Sequence, residues 1–308
     1  METFFLDEHK DTGSWTRVWE PICTVIRKCL EGLHGMTFDP ASPFRIYCHR
    51  DNSIRPDGCV FLMQMHLPKL YSLDTHGWGV THSRRGDRGF EFVKDEDAVE
   101  YCRSLCKEWL ANGKSKCWQP KPVVVPIADY LLVLLQMPGD SVIKRYSPVT
   151  VDEFVVRVGE WARQSQTRCV VKPHPSCKRE AHSGTWAAID RAIEENAWLT
   201  LRQDNIHSLL ANAAGVWTIN SGSGFEALVH GKPVVTFGAA DYDHVTGKGT
   251  LDALDDAANF VRSKPDPILG QKFAMHYILQ NCFWIGIDKM AEARICAYLR
   301  DQLDRAAG

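Results

Sequence analysis

Three short segments hold residues whose types and spacing could do chemistry. The first runs Asn220-Ser-Gly-Ser-Gly-Phe-Glu226, between apolar runs at 215–219 and 233–237. A polar turn that opens a helix leaves the first amides without intrahelical partners, with the positive end of the helix dipole behind them. Small residues let a phosphate approach that backbone, and serine hydroxyls add donors. Asn220, Ser221, Gly222, Ser223 and Gly224 therefore form a candidate phosphate site, and Glu226, one turn in, can accept from ribose hydroxyls. The plainer reading is an N-capped helix without a ligand. The setting between two apolar strands favours the phosphate.

The second segment, Arg168-Cys-Val-Val-Lys-Pro-His-Pro-Ser-Cys-Lys178, puts Lys172, His174 and Lys178 directly after a β-rich run. Two prolines hold this turn extended. Lysine and imidazole donors can neutralise a leaving phosphate; the competing reading is a surface turn with incidental cations. In the third segment Gln136 ends a strand and Asp140 follows a Pro-Gly turn. A carboxylate at a strand's carboxyl end can act as nucleophile or base, or it can simply cap a turn or helix.

The elements that must position these residues follow from periodicity. After residue 120, strands are predicted at 123–127, 131–136, 169–172, 198–201, 215–219 and 233–237. Helices are predicted at 151–163, 185–196, 205–212 and 222–230. Strands alternating with helices imply βαβ units on a parallel sheet, with ligands beyond the C-terminal strand ends. All three segments lie at such ends. Before residue 120 the signals are less regular: helices at 16–34 and 96–111, strands at 44–48 and 59–65, and a Gly/His/Arg-rich loop at 74–88. Residues 107–122 are polar and basic, with Gly113, Pro120 and Pro122, and read as a linker. The expected division is a domain at 1–120, a second at 121–275, and C-terminal helices at 276–308, including an amphipathic stretch at 288–305.

Bulk properties narrow the field. The 308 residues carry a net charge of -2, so no global attraction to nucleic acid or anionic membrane is expected. No run of about 18 apolar residues is present, and the N-terminus lacks the apolar core of a secretion signal. The 11 cysteines follow no framework pattern and read as reduced thiols in a cytoplasmic protein. Cys102 and Cys106 stand four apart on a helix, but no second pair at zinc spacing accompanies them, so no metal is expected. Trp15, Trp19, Trp78 and Trp118 read as packing residues in preference to sugar platforms.

In order along the chain, Gln136-Met-Pro-Gly-Asp140, Lys172-Pro-His-Pro175, Asn220–Leu228 with Gly231–Gly238, and Asp241-Tyr-Asp243 with Gly249–Asp252 resemble the motifs of bacterial retaining β-Kdo transferases of capsular polysaccharide biosynthesis. The resemblance covers residues 131–285; residues 1–120 match far less. It implies an α/β GT-B fold, two facing Rossmann-like αβα domains whose C-terminal helix often returns to the first. It implies a CMP-activated Kdo donor, no metal or other cofactor, and Asp140 as catalytic nucleophile in a double displacement. Gln136, Lys172, Asn220, Ser221, Gly222, Ser223, Gly224 and Glu226 become donor-binding residues, and His174 joins Asp140 in catalysis by stabilising the leaving phosphate. The expected partners are the nucleotide-sugar donor and a glycan or glycolipid acceptor, the latter with peripheral membrane association and without nucleic acid. Asp74, His76 and His82 are candidate acceptor bases by residue type alone. Two rivals stay open: a transferase for another nucleotide sugar, including one that modifies nucleic acid, and a non-catalytic nucleotide-sugar-binding protein.

Overall fold

The computed structural model describes residues 2–7, 18–48, 59–77, 79–194 and 196–307; Trp15 and Trp78 lie outside these. The chain divides into two compact units, Met1–Asp87 with Tyr277–Gly308, and Arg88–His276. Each has its own six-stranded sheet. The division falls at residues 87/88 and not near 120. Residues 107–122 belong wholly to the second unit, because side chains some 90 positions downstream hold them there.

The first unit contains β1 (Thr3–Asp7), β2 (Thr37–Phe38), β3 (Arg45–Cys48), β4 (Cys59–Gln64) and β5 (Leu70–Asp74). Strands β2, β1, β3 and β4 pair in parallel, while β5 is antiparallel to both β4 and the short strand Phe283–Trp284. Helix α1 (Glu20–Arg27) has a proline in its first turn, where the missing N–H costs no bond, and buries Ile22, Cys23 and Ile26. A π-helical turn, Lys28–Leu33, continues it. Here one expectation fails: Cys29 is joined to Cys296 of the helix Ala291–Ala307 by a disulfide, with Cα atoms 5.3 Å apart. An ion pair between Lys28 and Glu292 lies alongside. The other nine cysteines are thiols outside any disulfide. Proximity of residues 267 apart in sequence has no local signature, so composition alone reads both as thiols.

The second unit opens with α2 (Asp95–Asn112), closed by Gly113 in the left-handed conformation. Then follow β6 (Tyr130–Leu134), α3 (Ser141–Tyr146), α4 (Val151–Ser165), β7 (Cys169–Lys172), α5 (Ser183–Ile193), β8 (Leu199–Leu201), α6 (Ile206–Asn212), β9 (Ala213–Thr218), α7 (Gly222–Val229), β10 (Val234–Thr236) and β11 (Gly247–Lys248). The helices Leu254–Arg262 and Ile268–His276 complete it. Strand order is β11-β10-β9-β6-β7-β8, all parallel. Every residue of β6 and β7 is buried, as suits strands covered on both faces. Phe154, Val158 and Trp161 of α4 enter one core with Val133, Val171 and Trp217. Thr150 caps α4 by accepting from Glu153 N–H at 3.2 Å.

Two local expectations are corrected. Residues 123–127 are not a strand: Pro122 and Pro126 have no N–H for a ladder, Val123 N–H donates to Ser208 Oγ at 3.0 Å, and Val124 is 92% exposed. Strand β6 stops at Leu134, so Gln136 lies two residues beyond it. Cys102 and Cys106 donate to the carbonyls of Gln271 and Val229, at 3.7 and 3.5 Å.

Candidate active site

The chain runs outward from β6 to β7 and β8, then crosses back to β9 and on to β10 and β11 on the other side. The C-terminal ends of β6 and β9 therefore flank a topological switch point, where open α/β sheets bind ligands. Gln136 follows β6 and Asn220 follows β9, both buried. Gln136 Oε1 accepts the Asn220 backbone N–H at 2.9 Å. Gln136 thus shapes the turn. Asn220 Nδ2 donates to the carbonyls of Val142 (3.3 Å) and Ala239 (3.2 Å). Its Oδ1 is buried without a hydrogen-bond partner among the described residues.

Ser221 caps α7, its Oγ accepting from Ser223 N–H at 3.2 Å, and its carbonyl accepts from the Tyr242 hydroxyl. Gly224 has a packing reason to be small. A Cβ there would collide with the Tyr242 hydroxyl. Gly222 and Ser223 are the residues of the turn that remain partly exposed beside the helix start. Glu226 is only 2% exposed on α7, and its charge acts on Lys116, Cys117 and Lys172.

After β6, Gly139 at φ +76° makes the turn that delivers Asp140 to the start of α3. Asp140 Oδ1 accepts from Val142 N–H at 3.1 Å, so the carboxylate does cap this helix. The Ser141 hydroxyl also approaches Oδ1, at 3.5 Å. After β7, Lys172 is buried and donates to the Asp204 carbonyl at 2.9 Å. Burial brings its pKa down to about 8, against the charges of Asp204, Glu226 and Cys117. His174 Nδ1 accepts from Ser176 N–H at 3.1 Å. A neutral ring therefore carries its proton on Nε2, which lies 3.6 Å from Cys117 Sγ. Burial lowers the His174 pKa; Asp140 opposes this, and Lys116 and Lys172 reinforce it. Lys178 is exposed on the rim.

Lys116 and Cys117 are the site residues that sequence reasoning passes over. They lie on a strap, residues 113–120, pinned along its length. Buried Asn205 donates from Nδ2 to the carbonyls of Gly113 (3.0 Å) and Pro120 (2.9 Å). Gln119 Oε1 accepts Ile206 N–H at 3.1 Å, and His207 Nε2–H donates to the Lys114 carbonyl at 2.6 Å. Lys116 is exposed on the strap; desolvation lowers its pKa, and Cys117, Asp140, Asp241 and Glu226 oppose this. Nothing local marks such a strap; its anchors are Asn205 and His207.

The acceptor-base candidates lie in the first unit. Asp74 is buried and accepts from His76 N–H (2.8 Å), Ser83 N–H (3.0 Å) and the Ser83 hydroxyl. His82 Nδ1 accepts from Arg84 N–H at 3.1 Å. Both hold the loop together, whereas His76 is exposed. Arg84 binds the Gln280 carbonyl and Asn281 Oδ1 at 3.1 and 3.3 Å. Among the described residues no cluster of three or more His, Cys, Asp or Glu could hold a metal.

Two parallel-rich α/β units, one with charged residues at its switch point, define a GT-B-like α/β protein. Residues 120–283, more than half of the chain, match the family described as capsule polysaccharide biosynthesis protein, and the chain belongs to that family. It is similar to KpsC of Thermosulfurimonas dismutans, a β-Kdo 2,7 transferase, with TM-score 0.57 and 14% identity over 97% of this chain and 99% of that one. It is also similar to the β-Kdo 2,4 transferase of the same KpsC, with TM-score 0.54 and 17% identity over 89% of each chain. Protein FixF of Sinorhizobium fredii is 32% identical over 166 residues, which are 50% of this chain but only 39% of that protein. No described helix is long and apolar enough to cross a membrane.

Proposed function

We propose that the chain is a retaining glycosyltransferase that moves Kdo, or a keto-acid sugar of the same class, from a CMP-activated donor to a glycan or glycolipid acceptor. The observation that carries this reading is the grouping of Asp140 after β6, Lys172 and His174 at the end of β7, Glu226 on the helix after β9 and Lys116 on the strap. The names of the two KpsC transferases lend it support.

In the first displacement an Asp140 carboxylate oxygen attacks the anomeric carbon, and the bond to the phosphate oxygen breaks with its electron pair leaving on CMP. The cap bond to Val142 N–H fixes the carboxylate while this happens. His174, neutral at physiological pH, donates from Nε2–H to the leaving phosphate, and protonated Lys172 adds positive charge. The acceptor hydroxyl then attacks the same carbon, gives its proton to a base and restores the Asp140 carboxylate. Two inversions retain the anomeric configuration. This chemistry uses no metal. It belongs in a reducing cytoplasm; the Cys29–Cys296 disulfide runs against that placement, since such bonds persist mainly in oxidising compartments.

Thermal-shift titration with CMP, UMP, UDP, GDP and ADP tests the donor, since a ligand of the native state stabilises by mass action. CMP should raise the Tm most, and CMP-Kdo alone should be hydrolysed slowly to CMP. Stabilisation by UDP, GDP or ADP without CMP would overturn the reading.

A further inference from the structure

Trp118 is 76% exposed, although a tryptophan usually gains by burial. One exposed aromatic residue means little by itself. This one stands on the pinned strap: Cys117 lies against His174, Gln119 takes the Ile206 N–H, and the Pro120 carbonyl is clamped by Asn205. The backbone is thus fixed while the indole stays out of the core, unlike Trp19, which packs inside the first unit at 5% exposure.

Beneath Trp118 lies a concavity of about 250 Å³, bounded also by Pro175, Trp186 and Gln203, and bordering Lys172 and His174. Its floor is preformed. Trp186 Nε1–H donates to the Cys177 carbonyl at 2.9 Å. The Arg179 guanidinium lies 4.2 Å from the Trp186 ring centroid and is itself held by both oxygens of Asp190. The volume falls below the roughly 300–1,000 Å³ of pockets that enclose a whole ligand. It suits one ring system, not an entire nucleotide sugar.

The strand order supplies a direction. Asp140 follows β6, His174 follows β7 and Gln203 follows β8, and these strands are neighbours in the sheet. A donor with its sugar at Asp140 and its phosphate at His174 extends its nucleoside toward Gln203, away from Glu226 on the other side of β6, so in this placement Glu226 does not make the ribose contact expected of it. Resting on the nucleotide-donor reading above, we propose that Trp118 is the platform on which the heterocyclic base of the donor stacks, with the Gln203 amide at the base edge. Every base has a π face for such a platform, and an amide offers both a donor and an acceptor.

The test is calorimetric titration of the full chain with CMP and with ribose 5-phosphate, which lacks the base. Wild type, Trp118→Ala and Trp118→Phe are compared. An exposed residue can be removed without unfolding the protein, which an unchanged Tm verifies. CMP affinity should fall about tenfold in the alanine variant, the scale of one base–aromatic stack, and stay within about threefold of wild type in the phenylalanine variant. Ribose 5-phosphate should bind all three alike. Unchanged CMP affinity in Trp118→Ala overturns the stacking site and leaves the donor reading intact; it would point instead to an acceptor ring. Equal losses for both ligands also overturn it. If wild type binds none of CMP, UMP, UDP, GDP and ADP, the nucleotide-donor reading falls and the base platform with it.

Discussion

Gln136 Oε1 accepts the backbone N–H of Asn220 at 2.9 Å, so a side chain at the end of β6 holds the turn at the end of β9. The bond spans the switch point from buried partners on both sides. Gln136→Leu fills a similar volume but strands the Asn220 N–H. Leaving a buried donor unpaired costs about 1–3 kcal/mol. Urea denaturation should show a loss of that size, and CMP affinity should fall with it. A variant within about 0.5 kcal/mol of wild type, the range of ordinary surface changes, would mean that the turn does not depend on this bond.

The Cys29–Cys296 disulfide closes a loop with a sequence separation of 267 residues and ties the C-terminal helix to the π-helical turn after α1. Removing such a link typically costs about 2–5 kcal/mol. Protein purified without reductant and then denatured should titrate nine thiols of its 11 cysteines. Reductant should lower the Tm of wild type and leave Cys296→Ser, already lowered, where it is. Finding all eleven thiols free in the native preparation would remove the disulfide.

His230, half-buried against the buried His207, makes the second unit acid-sensitive. His207 Nε2–H donates to the Lys114 carbonyl, which leaves Nδ1 of the neutral ring to accept from His230 Nε2 at 3.0 Å. Burial, then His207 and Lys232, push the His230 pKa down to about 3. Its unfolded value is about 6.5. Between these values the unfolded chain holds a proton that the native one lacks, so stability is full above about pH 6.5 and is lost as pH falls toward about 3. His230→Gln can still donate to His207 but does not titrate. Its urea midpoint should fall less steeply across that window. An identical slope in both proteins would place the acid sensitivity elsewhere.

The second unit is largely legible in the sequence because its strands are continuous apolar runs that only a doubly covered sheet can hold. Leu131, Leu132 and Val133 of β6 are such a run, and all three are buried. The same logic misleads at Val123 and Val124, where apolar side chains face solvent and flanking prolines forbid a ladder. Motif residues are visible as types, yet their division of labour is not. Gln136 shapes a turn, and Gly224 makes room for Tyr242, contacts that link positions far apart in sequence. The strap is hidden most completely. Its polar, proline-bearing sequence looks like a linker, and only Asn205 and His207 convert it into a wall of the site.

The sharpest expectation concerns Asp140. Its carboxylate does two things on the proposed reading: Oδ1 caps α3, and the group attacks the anomeric carbon. Asp140→Asn separates them. Asparagine ranks with aspartate as an N-cap, since its Oδ1 accepts the same N–H, so stability should change by less than about 0.5 kcal/mol. The amide is a poor nucleophile and forms no stable ester, so turnover should vanish while CMP affinity persists, as for a group whose interaction is made in the transition state. Asp140→Ala would lose both, with about 1 kcal/mol of cap stability gone. Intact mass after incubation with CMP-Kdo gives the direct reading: an adduct of one sugar on the peptide containing Asp140 in wild type, and none in the Asn variant. If Asp140→Asn keeps more than roughly a tenth of the wild-type rate, less than about 1.4 kcal/mol of barrier has been lost. The residue would then be a helix cap and nothing more.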